Sequence, residues 1–149
     1  MKRLVIEYWT PLVLWLIVIF FFSTDAFASE ETSKIIVPLL KFSFPSLSTG
    51  QLDFWHLVIR KLGHMTEYFI LAGFTYRSLR QEQPDFSEDK LRTLGVVAIA
   101  AVVDELHQGS TSFRTASVID VGYDCLGAVW ALWLITAYEA RRLRTHSVL

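Results

Sequence analysis

The chain has one cysteine, Cys125, so it can form neither an internal disulfide nor a cysteine-built metal cage. Cys125 reads as a small packing residue near a helix start. Neither sign of charge predominates: 14 Lys and Arg face 15 Asp and Glu, for a formal net charge of -1. No basic stripe and no recognition motif for nucleic acid is present, so nucleic acid is not an expected partner. Internal repeats, low-complexity tracts and the HExxH zinc pattern are also missing. What the chain has in quantity is apolar sequence. It is 149 residues long and 52% hydrophobic, with several long apolar runs. That length suits one domain, and such runs in so short a chain point to a membrane protein.

The first apolar run is Pro11 to Phe22, extended backwards through Trp9, Tyr8 and Leu4 to Ile6. Lys2 and Arg3 before it and Ala26-Phe27-Ala28 after it also fit a cleaved secretory leader. The run is long, and Tyr8 and Trp9 resemble an interfacial belt, so a retained helix is expected. Residues 23–51 read as a Ser/Thr-rich loop with Pro38, Pro45 and Gly50, in which Ile35, Ile36, Leu39 and Leu40 could form a short amphipathic segment on the membrane surface or serve as buried anchors. A second helix runs from about Leu52 to Leu79. Its first turns carry Asp53, His56, Arg60 and Lys61 and belong to the interface, leaving Leu62 to Leu79 as the spanning part. Pro84 interrupts the polar linker from Arg80 to Lys90. A third helix is expected at about 91–108 and a fourth at about 117–138, followed by a polar tail.

The expected fold is therefore all-α, a single domain over residues 1–149. It is a bundle of four transmembrane helices at about 4–22, 52–79, 91–108 and 117–138. Placing the N-terminus inside puts Lys2, Arg3, Arg77, Arg80, Lys90, Arg92, Arg141, Arg142 and Arg144 on the cytoplasmic side. Lys34, Lys41, Arg60, Lys61 and Arg114 fall on the other side. The excess favours both termini in the cytoplasm.

That topology sorts the polar residues by depth. His64 and Glu67 lie one to two turns below the outer surface on the second helix. Asp104, Glu105 and Gln108 end the third helix at the same level, Arg114 sits in the outer loop, and Asp120 and Asp124 open the fourth helix. Lys61, His64, Glu67 and Tyr68 share one helical stripe; Asp104 and Gln108, and Asp120 and Asp124, are i,i+4 pairs. Ionisable groups at membrane depth cost roughly 2.5–3.5 kcal/mol each on insertion scales and tend to pair or face a cavity. Arg114 is the obvious partner for Asp120, Asp104 or Glu105. Acids at a helix end can also be there because water is there, or because Asp120 and Asp124 stabilise a first turn through the helix dipole. That simpler reading does not account for His64, Glu67 and Arg114 at the same depth.

The segments "KLGHMTEYFILAG" and "DELHQGSTSFRTASVIDVGYDCLG" resemble the VanZ-like family of small bacterial membrane proteins. Lys61, His64, Tyr68, Asp104, Glu105, Gln108, Arg114, Asp120 and Gly127 match the family pattern. The resemblance extends over most of the chain. It departs at Asp124, where the family usually has Asn; an amide donates and accepts, whereas an ionised carboxylate only accepts. The resemblance implies cell-envelope chemistry, with low-level teicoplanin resistance as the source of the family name and lipid head groups as a suggested target.

Two functions fit these residues best. In the first, the chain is an enzyme acting at the outer face on a phosphate-bearing lipid head group or lipid-linked wall precursor. Lys61 and Arg114 bind phosphate, with Tyr68, Gln108 and Asp124 completing the substrate contacts. His64 is the general acid/base, aided by Glu67, Asp104, Glu105 and Asp120. No cofactor is expected, although so many oxygen ligands would suit a hard cation such as Mg²⁺. In the second, the same cluster binds or shields a lipid or wall precursor without turnover. Transport ranks third, because four helices are few and no broken helix or paired repeat is visible.

Overall fold

A computed structural model of the chain describes residues 2–80, 86–111 and 116–146, except the side chains of 2–5, 86, 87, 143 and 146. The described residues form five α-helices and one short 3₁₀ turn, with no strand among them. The helices are α1 (Lys2–Phe22), α2 (Ser29–Ser43), α3 (Thr49–Leu79), α4 (Phe86–Gly109) and α5 (Val118–His146). The all-α expectation holds.

Four boundaries differ from the sequence reading, each for a local reason. Helix α4 begins at Phe86, inside the expected linker, with Glu88 and Asp89 in its favourable first turn. Residues 23–51 are largely helical rather than a loop. In α2, Glu30 and Glu31 occupy the favourable first turn, Lys41 the last, and Lys34 pairs with Glu31 one turn back. Helix α3 begins at Thr49, three residues before Leu52, because Ser48 and Gln51 form a reciprocal capping box. Helix α5 continues to His146, through the expected polar tail, in a stretch rich in Glu, Ala, Arg and Leu, which are strong helix formers. Residues 81–85, including Pro84, lie outside the described residues.

Helix α3 is the central element. It packs along α5, and α4 lies against both. Successive contacts show that α3 and α5 run parallel: Lys61 meets Asp120, Phe69 stacks edge-on with Trp130, and Tyr76 meets Glu139. Helix α1 runs antiparallel to α3. It is held by Ser78 Oγ donating to the Tyr8 carbonyl at 2.8 Å and Trp15 Nε1 donating to the Glu67 carbonyl at 2.8 Å.

The apolar core is built from Leu12 and Ile19 of α1, Leu71 and Ala72 of α3, Val97 and Ala101 of α4, and Ala128 and Ala131 of α5. Small residues let the backbones approach closely. At Gly127 the approach is closest, because a Cβ there would collide with the Met65 carbonyl oxygen. Polarity is distributed opposite to a soluble protein. His64, Thr75, Thr93, Asp104, Glu105, Gln108, Asp120 and Asp124 are buried, whereas Val13, Leu14, Ile17, Ile99, Val102, Leu106 and Trp133 are exposed. By length and apolarity alone, α5 (Val118–Arg142) qualifies as a membrane-crossing helix. Helices α1 and α2 qualify together as a pair bent by 71°. This fits a membrane location.

Candidate functional site

The close passage at Gly127 fixes the site's geometry. Asp124 lies about one turn before Gly127 on α5, and His64 immediately precedes Met65 on α3. The two side chains therefore face each other, with His64 Nδ1 3.4 Å from Asp124 Oδ1. One turn earlier on each helix, Lys61 Nζ forms an ion pair with Asp120. Among the described residues, Lys61 is the cation on Asp120. Arg114 lies in 112–115, outside the described residues.

The two adjacent acids of α4 have separate partners, as their angular offset on the helix requires. Asp104 Oδ2 accepts from Gln108 Nε2 at 2.8 Å, along the i,i+4 direction. Glu105 Oε2 accepts from the backbone N–H of Ser117 at 2.6 Å, which places a carboxylate at the positive end of α5. Ser117 also offers its hydroxyl oxygen to the Asp120 N–H at 3.3 Å. Glu105 and Ser117 thus serve the α5 N-terminus, while the side chains of Asp120 and Asp124 reach across to α3.

These contacts leave much of the cluster unsatisfied. His64 Nδ1, Tyr68 Oη, Asp104 Oδ1, Glu105 Oε1 and both Asp124 oxygens are shielded from solvent without a hydrogen-bond partner among the described residues. The His64–Asp124 approach is within ion-pair range but is not aligned as a hydrogen bond. Native proteins satisfy nearly all buried polar groups, since each unpaired one costs about 1–3 kcal/mol. Such groups are answered by ordered water or by a bound molecule, and here they are concentrated at one end of the bundle.

A cavity of about 210 Å³ adjoins the cluster. Its polar wall is Arg60, His64 and Glu67 of α3 with Asp104 and Gln108 of α4. Its other wall is Phe22, Phe27, Thr32 and Ile36, from the end of α1, the following turn and α2. Helix α2 is pinned over it by Thr32 Oγ1, 3.1 Å from His56 Nε2 in the interfacial first turns of α3. Burial and the Arg60 guanidinium push His56 below the ordinary histidine value, against a smaller opposing pull from Asp53.

The structure therefore brings Lys61, His64, Glu67, Tyr68, Asp104, Glu105, Gln108, Asp120 and Asp124 to one end of the bundle, on three helices. The expected stripe on α3 divides in two. Lys61 and His64 turn toward α5, whereas Arg60, Gly63, His64 and Glu67 line the cavity. Arg60 and Thr32 were not singled out as site residues. Arg60 had a readable signal, because 60, 63, 64 and 67 are themselves spaced as one helical face. His107 faces away from the cavity and stacks on Phe20 with ring centroids 4.3 Å apart. Among the described residues, no three His, Cys, Asp or Glu side chains converge closely enough to hold a metal ion.

No curated protein and no solved structure matches the chain. A family model described as VanZ/LLP1 matches residues 8–139, which takes in all the site residues above. The chain thus belongs to the VanZ-like family.

Proposed function

We propose that the chain is a four-span membrane enzyme with both termini in the cytoplasm. Its polar end opens toward the extracytoplasmic side and acts there on a phosphate-bearing lipid head group or lipid-linked wall precursor. The observation that carries this reading is the set of buried, unpartnered polar atoms on His64, Tyr68, Asp104, Glu105 and Asp124 beside a cavity walled by Arg60. Four spans are supported by the direction of the charges on α3 and α4. Their ionisable groups at the site turn inward, and Leu62, Ile99, Val102 and Leu106 turn outward. The bend between α1 and α2 suits a helix that leaves the membrane normal and lies over the site.

The chemistry follows from the side chains. Arg60 and Lys61 place positive charge near the position of a head-group phosphate, with the guanidinium suited to bidentate contact. His64, oriented by Asp124, takes the proton of a hydroxyl or water as that oxygen attacks the head-group phosphorus, and returns it to the alcohol oxygen that leaves as the old P–O bond breaks. Asp104 and Tyr68 hold the reacting oxygens. The same reading allows Mg²⁺ to enter with the phosphate, in which case chelation with EDTA stops turnover and Mg²⁺ restores it. A role in the cell envelope, including low-level teicoplanin resistance, belongs to this proposal and rests on family membership alone.

The test is lipid mass spectrometry of cells carrying the wild-type chain or His64→Ala, at equal expression. The expected result is a head-group change in the first and its loss, by a factor of about 10²–10⁴, in the second. Equal head-group profiles in both strains overturn the enzymatic reading. A lipid that co-purifies with the wild type yet is never converted establishes the binding function instead.

A further inference from the structure

We propose that the cleft between α1 and α4 takes one hydrocarbon chain of the lipid whose head group occupies the polar cavity, an inference that rests on the head-group reading above. Helix α1 rests mainly on α3 and meets α4 through the Phe20–His107 stack. The resulting gap is a second cavity of about 190 Å³, walled by Leu16, Ile19 and Phe20 of α1 and Ala100 and Val103 of α4. Leu16, Phe20 and Val103 are exposed, so the cleft is open from the side, where lipid tails are.

Two features set this cleft apart from an ordinary gap between helices. Tyr68, at its floor, is fully buried, and its hydroxyl lies beside the Asp104 carboxylate without closing a hydrogen bond of normal geometry. Asp104 borders both this cleft and the polar cavity that holds His64, and its Oδ1 is likewise unpartnered. An apolar cleft and a chamber with one polar wall thus lie on either side of a single carboxylate. That order matches an amphiphile lying with its tail between α1 and α4, its polar junction at Tyr68 and Asp104, and its head against His64 and Arg60. Soluble phosphates would need the chamber but not the cleft.

The experiment uses the full chain in phosphatidylethanolamine/phosphatidylglycerol nanodiscs with hexadecyl phosphate carrying a mid-chain diazirine. After irradiation, label read residue by residue is expected on Leu16, Ile19 and Phe20 and on Ala100 and Val103, above that on Ile17, Ile99 and Val102. Ala100→Trp, which fills the cleft, should lower that label at least five-fold, and Leu16→Trp should do so from the opposite wall. Labelling that is equal on the outward residues Ile99 and Val102 and indifferent to both tryptophans overturns the proposal. The two readings fail separately. Head-group conversion lost in His64→Ala but normal in both tryptophan variants removes the cleft alone. Cleft labelling that responds to tryptophan while His64→Ala leaves head groups as in wild type removes the enzymatic reading alone.

Discussion

The two ends of α3 carry similar side chains and resolve them differently. At the far end, Tyr76 donates to both Glu139 oxygens at 3.2 and 3.4 Å, and Arg80 Nη1 pairs with the same carboxylate. Glu139 is thereby answered from two sides, across the same α3–α5 interface that carries the site. Asp89 is buried nearby and its carboxylate oxygens also lack a hydrogen-bond partner among the described residues, but it sits in the first turn of α4, where the helix dipole favours a negative charge, with Arg92 4.0 Å away. At the near end, Lys61 answers Asp120, yet among the described residues Asp124, Asp104, Glu105, His64 and Tyr68 retain buried atoms without hydrogen-bond partners. The far end holds one such carboxylate; the near end gathers five such side chains on three helices around a cavity. Neither burial of charge nor a single unsatisfied group is the mark of the site. Their concentration beside a cavity is.

The comparison can be broken most severely at Gly127. Gly127→Ala drives a Cβ into the Met65 carbonyl, forcing α5 away from α3. A loss of about 1–3 kcal/mol is expected, as for other overpacked contacts, read as a lower midpoint in thermal unfolding in detergent. His64 and Asp124 separate with it, so head-group conversion falls as well. An unchanged midpoint contradicts the packing described here.

Glu139→Gln sharpens the comparison from the other end. It removes a partly exposed ion pair and weakens two hydrogen bonds, so stability should fall by about 1 kcal/mol. Head-group conversion should stay within about two-fold of wild type, far from the effect of removing a general acid/base. A conversion defect as large as that of His64→Ala contradicts the division of labour between the two ends.

The smallest expected effect is the pH response of α2. His56 has a folded pKa below its unfolded value, so the undocked state binds its proton first. The stability it lends to docking is fully present above the unfolded value of 6.5 and is lost below it, as pH falls through the lower folded pKa. Amide protection factors in Ser29–Ser43, with the intrinsic pH dependence of exchange divided out, should therefore fall between pH 7 and pH 5, and His56→Gln should flatten the response. Protection that rises on acidification contradicts the assignment.

Much of this was legible in the sequence because apolar helices announce themselves by length, and because polar residues at matched depth on separate helices are unexpected by chance. The depth argument grouped His64, Asp104, Glu105, Asp120 and Asp124, and the structure places them together. Partner choice was not legible. Asp120 takes Lys61 because of the crossing at Gly127, a tertiary fact that no local pattern states. Helix α2 was hidden by its composition: Ser, Thr and an internal Pro38 favour a loop on propensity, and the helix is held by acidic first-turn residues and the Thr32–His56 contact. Arg60 was obscured by its neighbour Lys61, which lies on the stripe that faces α5.

The most direct measurement is an experimental structure of the full chain in nanodiscs made from its own cell's lipids. The account predicts head-group density among Arg60, His64 and Asp104, continuous with a hydrocarbon chain between α1 and α4. A chamber filled only by side chains, with Tyr68, Asp104, His64 and Asp124 bonded to one another, would contradict it.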